Sequence, residues 1–489
     1  MRTSVGAIVV AIAAAMAVVV GAEFLFRGVL AQVLLLVLLL VSVMAVGVAL
    51  RPERRVPALC DPFVLCCVFL GQFYVIGPIV MATWGLSPIL FFRAPGAEAA
   101  VLPLIAAVSL VACAIVGYRM ELGRLVADRL PDFPPTARKF PRAVYVGGMV
   151  TAGLLGCLGW IEYQGGLMYK LGLSYGAGKS GAAFTLAFNA VITGTIVWAW
   201  TLMDGKVTRP RRYVFFVTLL AEVLFFGIIY GVRKYLFFLF FGLLACWSLR
   251  RGVRTLPKVR TAIVVAALLI FFSVWGAIRA MPVATMLGIG EASYTTQTSE
   301  LQYGYFAGVG DPFGTACLVW QIFPGQEPFR HGSTLLVTVL GFIPRALWPE
   351  KPVSIGKELT RYYVGPFYEP TEGYSVTPTL PADFYLNFGW PGVLLGGFLL
   401  GVLCRVIVTY AATGMVDGVQ ERASRVLIPT FFVIGLGEVR ADMSQLLAFY
   451  VMTGIPVLFG LLFFRMDGPT ASPAGARDHL EPSLSPQAG

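Results

Sequence analysis

Charge is scarce in this chain. Only 13% of its 489 residues are Asp, Glu, Lys or Arg, against roughly 25% in a soluble globular protein. Hydrophobic residues make up 57%, and the mean hydropathy is +0.79. Several stretches of about 18 or more residues carry almost no charge, a pattern that excludes an ordinary soluble domain and indicates a polytopic membrane protein. Histidine is nearly absent: only His331 and His479 occur. There is no HExxH, no Walker A sequence and no Asp-x-Asp pair. Zinc-peptidase chemistry, ATP hydrolysis and metal-held nucleotide sugars lose support, so any substrate arrives already energised. The eight cysteines fall mostly inside apolar runs and form no C-x-x-C. Neither a structural disulfide nor a zinc site is expected.

Twelve apolar spans are present, at about 4–21, 29–50, 58–82, 101–118, 143–161, 182–203, 213–231, 235–249, 261–279, 392–411, 426–437 and 445–464. They show no strand alternation, and in lipid only helices or closed barrels satisfy the backbone. The expected fold is therefore all-α, with about 12 transmembrane helices. Residues 1–21 resemble a signal peptide but lack a clear cleavage site, and are read as an uncleaved first helix. The net charge of +11 comes in short basic clusters between spans, as membrane topology demands, and no nucleic-acid module accompanies it. Arg51/Arg54/Arg55, the run from Arg119 to Arg142, Lys206/Arg209/Arg211/Arg212, and Arg250 to Arg260 fall on alternate connections. This asymmetry places both termini in the cytoplasm.

The chain divides into N-terminal membrane helices (1–279), a large outward-facing loop (280–391), C-terminal membrane helices (392–465) and a Pro/Ser/Gly-rich cytoplasmic tail (466–489) expected to be disordered. A loop longer than a hundred residues is uncommon without a function. Its apolar pieces at about 305–323 and 333–344 are either short re-entrant or interfacial helices, or a hairpin through the membrane.

Outward-facing cations are the first candidates for chemistry. Arg233 and Lys234 interrupt an apolar stretch, Arg279 ends a span, Lys357 and Arg361 lie in the loop, and Arg440 sits between Glu438 and Asp442. Arginine at membrane depth is costly and usually has a partner or a task. A short outer turn, a snorkelling anchor and a local ion pair are the plainer explanations of Arg233/Lys234, Arg279 and Arg440 respectively. In GFIPRALWPEKP (341–352) three prolines fix a rigid, non-helical elbow that presents Arg345 and Lys351 beside Trp348. Its plainer explanation is a helix stop with an interfacial tryptophan. Asp383 enters an apolar span beside Tyr385, Asn387 and Trp390, either as an acid–base group or as a first-turn acid. His331 is the one histidine placed to serve as an outer base. The loop aromatics suit either carbohydrate stacking or an interfacial belt.

GVRK (231–234), IPRALWPEKP (343–352), DFYLNFGWPG (383–392) and VRAD (439–442), in their order and spacing along the chain, resemble the Wzy-type oligosaccharide repeat-unit polymerases of bacterial surface polysaccharide assembly. The resemblance implies a metal-independent glycosyltransferase of the inner membrane with no cofactor. Its donor and acceptor would be polyprenyl-diphosphate-linked glycans, and a chain-length regulator is a possible partner. It places Arg345, Asp383 and His331 in catalysis. Diphosphate or glycan binding would fall to Arg233, Lys234, Arg279, Lys351, Arg361, Arg440, Trp348 and Tyr385. The rival expectations are a transferase like the O-antigen ligases, a flippase of lipid-linked oligosaccharides, and a non-catalytic scaffold.

Overall fold

The computed structural model describes residues 29–78, 97–131, 133, 140–167, 182–203, 208–230, 232–251, 312–334, 336, 348, 354–364, 376–415, 420, 422–437 and 443–466. Among these residues the helices, numbered in chain order, are α1 (Val29–Ala49), α2 (Pro62–Tyr74), α3 (Val101–Arg119), α4 (Glu121–Ala127), α5 (Arg142–Tyr163) and α6 (Ala182–Leu202). Then come α7 (Arg209–Leu224), continued by a π-helix at Phe225–Ile229, and α8 (Arg233–Arg251). A helix at 312–322 is α9. The series closes with α10 (Ile355–Val364), α11 (Leu380–Ala412), α12 (Ala423–Gly435) and α13 (Met443–Phe463). The expected spans 4–21 and 261–279 and the tail from 467 lie outside the described residues.

Seven of these helices are long and apolar enough to cross a membrane. Their composition explains the surface they present. A sequence such as VLAQVLLLVLLLVSVMAVGVA in α1 has no polar stripe, so every face needs apolar neighbours. Leu38 of α1, Leu155 and Leu158 of α5, Phe216 and Val217 of α7 and Leu395 and Leu399 of α11 all point outward, exposed. An apolar surface of that extent is a liability in water, and in a bilayer it is the lipid-facing side. The chain is a mostly helical membrane protein.

Inside the bundle, small residues bring helix backbones together. Gly397 and Gly401 of α11 lie against the Leu110 and Ala114 carbonyls of α3, and Gly117 of α3 meets the Phe398 carbonyl. This is the small-x-x-x-small packing that lets membrane helices approach closely. Gly153 and Gly156 of α5 meet Val191 and Ala187 of α6 in the same way.

One end of the bundle gathers arginine. Arg119 donates to the Leu50 carbonyl, Arg405 pairs with Glu53 at 3.5 Å, and Arg51 lies 3.9 Å from the buried Asp61. Arg250 donates to the Gln420 carbonyl and its guanidinium lies 4.7 Å from the Trp200 ring. Trp200 in turn donates to the Met466 carbonyl. Several connections expected to be inner therefore share one end.

Candidate functional site

At another end of the bundle α11 breaks, and its sequence explains why. Pro381 sits in the first turn, where no N–H is required. Ten residues on, Pro391 has no N–H to give the Asn387 carbonyl. Gly389 leaves the helix altogether, at φ 65° and ψ −154°, a conformation open only to glycine. Two carbonyls are thus left without helical donors, and the segment after α9 supplies them. Arg330 N–H donates to the Leu386 carbonyl and His331 N–H to the Asn387 carbonyl, each at 2.9 Å. Reaching both takes a left-handed turn at His331 (φ 47°) and Gly332 (φ 85°).

Asn387 locks the arrangement. Its Oδ1 accepts from Gly332 N–H at 3.0 Å, and its Nδ2 donates to Thr334 Oγ1 at 2.8 Å and to Asp383 Oδ1 at 3.1 Å. Asp383 is fully buried. Its Oδ2 accepts the backbone N–H of Met443 at 2.7 Å, so a carboxylate sits on the first residue of α13, where the helix dipole favours it. One side chain ties the α9 segment, the broken helix and α13 together. With both oxygens engaged, Asp383 is suited to positioning rather than to taking a proton from substrate. Aromatic rings brace the same junction: Tyr385 stacks on Trp320 at 4.4 Å and meets Phe329 and Trp390 at 5.7 and 5.8 Å. His331 is exposed beside it.

Next to this junction lies an ionic cluster. Arg330 Nη2 is 3.1 Å from Glu358 and 3.6 Å from Glu327, and Tyr362 donates to Glu327 at 2.6 Å. Arg330 Nε is buried with no partner among the described residues. Burial pushes the Glu358 carboxyl up, against the pull of Arg330 and Arg361. Burial and the bond to the Glu327 carboxylate push the Tyr362 phenol up to about 12. Arg361 is exposed on α10, and Trp348 is half-buried.

A pocket of about 180 Å³ opens between α6, α8 and α13. Lys234, Asn189, Thr185 and Gln445 give it a polar side, while Phe238 and Phe449 are among its apolar lining. The Lys234 ammonium lies 5.5 Å from the centre of the Tyr235 ring. Gln445 follows two residues after Met443, so the α13 wall of the pocket is the segment that Asp383 holds. A cation, amides and apolar walls together suit the anionic head of an amphiphile.

Of the residues singled out from sequence, Asp383, Tyr385 and His331 meet at the broken helix, Arg361 lies by the ionic cluster and Lys234 lines the pocket. Arg233 opens α8, and its side chain is outside the described set. Arg279, Arg345, Lys351 and Arg440 lie outside the described residues. Sequence reasoning passed over Arg330, Thr334 and Trp320. A signal was present only for the backbone contact of this segment: a proline four residues after Asn387 announces a carbonyl in need of an outside donor, here His331 N–H.

A family model described as a domain of unknown function (DUF8712) matches residues 318–418. The matched stretch runs from α9 through Arg330, His331 and Asp383 to just beyond α11. No curated protein and no solved structure matches the chain.

Proposed function

We propose that the protein is a glycosyltransferase-type polymerase that joins polyprenyl-diphosphate-linked oligosaccharide repeat units into a surface polysaccharide. In this reading it has about 12 transmembrane helices in a bacterial inner (plasma) membrane, both termini in the cytoplasm, and the 280–391 loop on the outer face. The observation that supports it best is the Lys234 pocket, with its α13 wall held by the Asp383 junction. A cation lining an apolar cleft fits the diphosphate head of a lipid-linked donor, and the polar, aromatic junction beside it fits glycan.

The reaction needs little machinery. An acceptor sugar hydroxyl attacks the donor's anomeric carbon, a new glycosidic bond forms, and the bond to diphosphate oxygen breaks. Polyprenyl diphosphate departs with the electron pair, and the hydroxyl proton passes to a base. Lys234, with Arg345 and its neighbours, supplies charge where the diphosphate develops. The exposed His331 is better placed to receive a proton than the enclosed Asp383.

A second reading has its own observation. A helix broken at Gly389 is a device of transporters, which use half-helices to build sites within the membrane. Lys234→Ala, expressed at the wild-type level, separates the two in a ladder gel of surface and lipid-linked glycan. Loss of polymer by about tenfold or more, with single repeat units accumulating on the outer face, is expected of the polymerase. Repeat units trapped on the inner face would replace it with a flippase, and an unchanged ladder would remove Lys234 from the reaction.

A further inference from the structure

Among the described residues, three buried carboxylates, Asp61, Asp383 and Glu222, are solvated in different ways. Asp61 accepts from the Tyr118 hydroxyl at 2.7 Å and from Phe63 N–H at 3.0 Å, with Arg51 at 3.9 Å. Asp383 accepts from Met443 N–H and Asn387 Nδ2. Both have the donors that an ionised carboxylate requires away from water. Glu222 does not. It is 1% exposed, on the membrane-crossing stretch Arg209–Ile229. Thirteen residues separate it from Arg209, about 20 Å at 1.5 Å per residue, so it lies well within a bilayer. Its Oε1 is hydrogen-bonded to Thr195 Oγ1 of α6. Its Oε2 is buried with no partner, and no cation pairs with it among the described residues. The ionisable group facing it from α5 is the Cys157 thiol, which carries no positive charge.

A carboxylate left with one hydroxyl donor in hydrocarbon is among the least favourable groups a protein can hold, and such residues mark ion or proton sites. The neutral acid lessens the difficulty, because an uncharged carboxyl oxygen without a partner costs far less than a charged one. It needs one acceptor and one donor, and a threonine hydroxyl can be either. A hard metal cation would gather about six oxygens, whereas Thr195 is the single side chain in polar contact with Glu222 among the described residues.

We propose that Glu222 and Thr195 form a proton-binding site within the membrane, the carboxyl of Glu222 carrying the proton at neutral pH. The site occupies a telling place. One turn further on, α7 passes into the π-helix Phe225–Ile229, a feature frequent at functional sites. Phe226 stacks on Tyr235 at 5.0 Å, and Tyr235 lines the Lys234 pocket. The proton is therefore held about one helical turn from rings that support the pocket wall. This inference stands on Glu222 and its surroundings alone and does not depend on what the pocket binds.

Infrared spectroscopy of the full-length protein in lipid membranes at neutral pH tests it. The wild type should show the carbonyl stretch of a protonated carboxylic acid, shifted in D2O, and Glu222→Gln should lose that component. Thr195→Val keeps the acid but removes its partner, and should move the band without abolishing it. This second variant decides the matter if Glu222→Gln does not fold. Absence of the band from the wild type, or a band that neither substitution changes, would overturn the proposal.

Discussion

Replacing Asp383 by alanine separates a positioning role from a chemical one. The substitution takes the acceptor from Met443 N–H and the anionic cap from α13, while Asn387 Nδ2 keeps Thr334 Oγ1 and the backbone carbonyl of residue 383. Stranding a buried donor costs about 1–3 kcal/mol, and losing a favourable charge at a helix N-terminus about 0.3–1 kcal/mol. Together these give a destabilisation of about 1–4 kcal/mol. Asp383→Asn retains one acceptor oxygen but turns an amide N–H towards the other donor, which costs about 1–3 kcal/mol. Thermal unfolding in detergent, followed by the fraction that stays monodisperse, should show both variants melting several degrees below wild type. Thr334→Ala and Asn387→Ala should move the same way, because they remove parts of the same junction. Under the proposed function, polymer yield should fall in step with stability across the four variants. A variant Asp383→Ala that melts within about a degree of wild type yet makes no polymer would refute the reasoning. It would return Asp383 to the reaction itself.

Two further outcomes follow from packing and from charge. A methyl group at Gly401 would run into the Ala114 carbonyl, so Gly401→Ala should force α3 and α11 apart and cost about 1–3 kcal/mol; Gly147→Ala, inside α5 where nothing lies within 4 Å, should leave the melting temperature unchanged or raise it slightly. The absorbance difference between wild type and Tyr362→Phe should titrate with a midpoint of about 12, against an ordinary tyrosine value of 10.0. The folded form binds that proton more tightly than the unfolded chain, so this contribution to stability is intact below the unfolded value and is lost as pH rises through the folded one. A midpoint at the ordinary value would show that the Glu327–Tyr362 bond does not form.

Much of the helical scaffold is legible from hydrophobicity alone. The run read at 101–118 is α3 and the run at 182–203 is α6, because long apolar stretches admit few other structures in lipid. The start of α11 is not legible that way. The apolar run begins at 392, yet the helix begins at Leu380. The segment PADFYLNFGWP has two prolines, an aspartate and an asparagine, all poor helix formers. Each is nevertheless accommodated: Pro381 by its place in the first turn, Asp383 and Asn387 by their bonds, Pro391 by the break. These compensations come from residues about 50 positions upstream or 60 downstream, beyond the reach of local pattern. Arg330 escaped notice for a similar reason, since Glu358 lies 28 residues away in sequence. Glu222 did carry a local signal, a lone acid in YVFFVTLLAEVLFFGIIYG.

The glycine seam between α3 and α11 also sets a timetable for making the protein. Leu110 and Gly397 meet across about 290 residues of chain, roughly 15–60 s of synthesis at 5–20 residues per second. Until α11 emerges, the Leu110–Gly117 face of α3 has lipid where a helix backbone will later lie. Insertion and assembly are therefore separate events for this helix. A chain truncated before Leu380 would enter the bilayer yet lack the partner for that face, which makes it a natural substrate for membrane quality control.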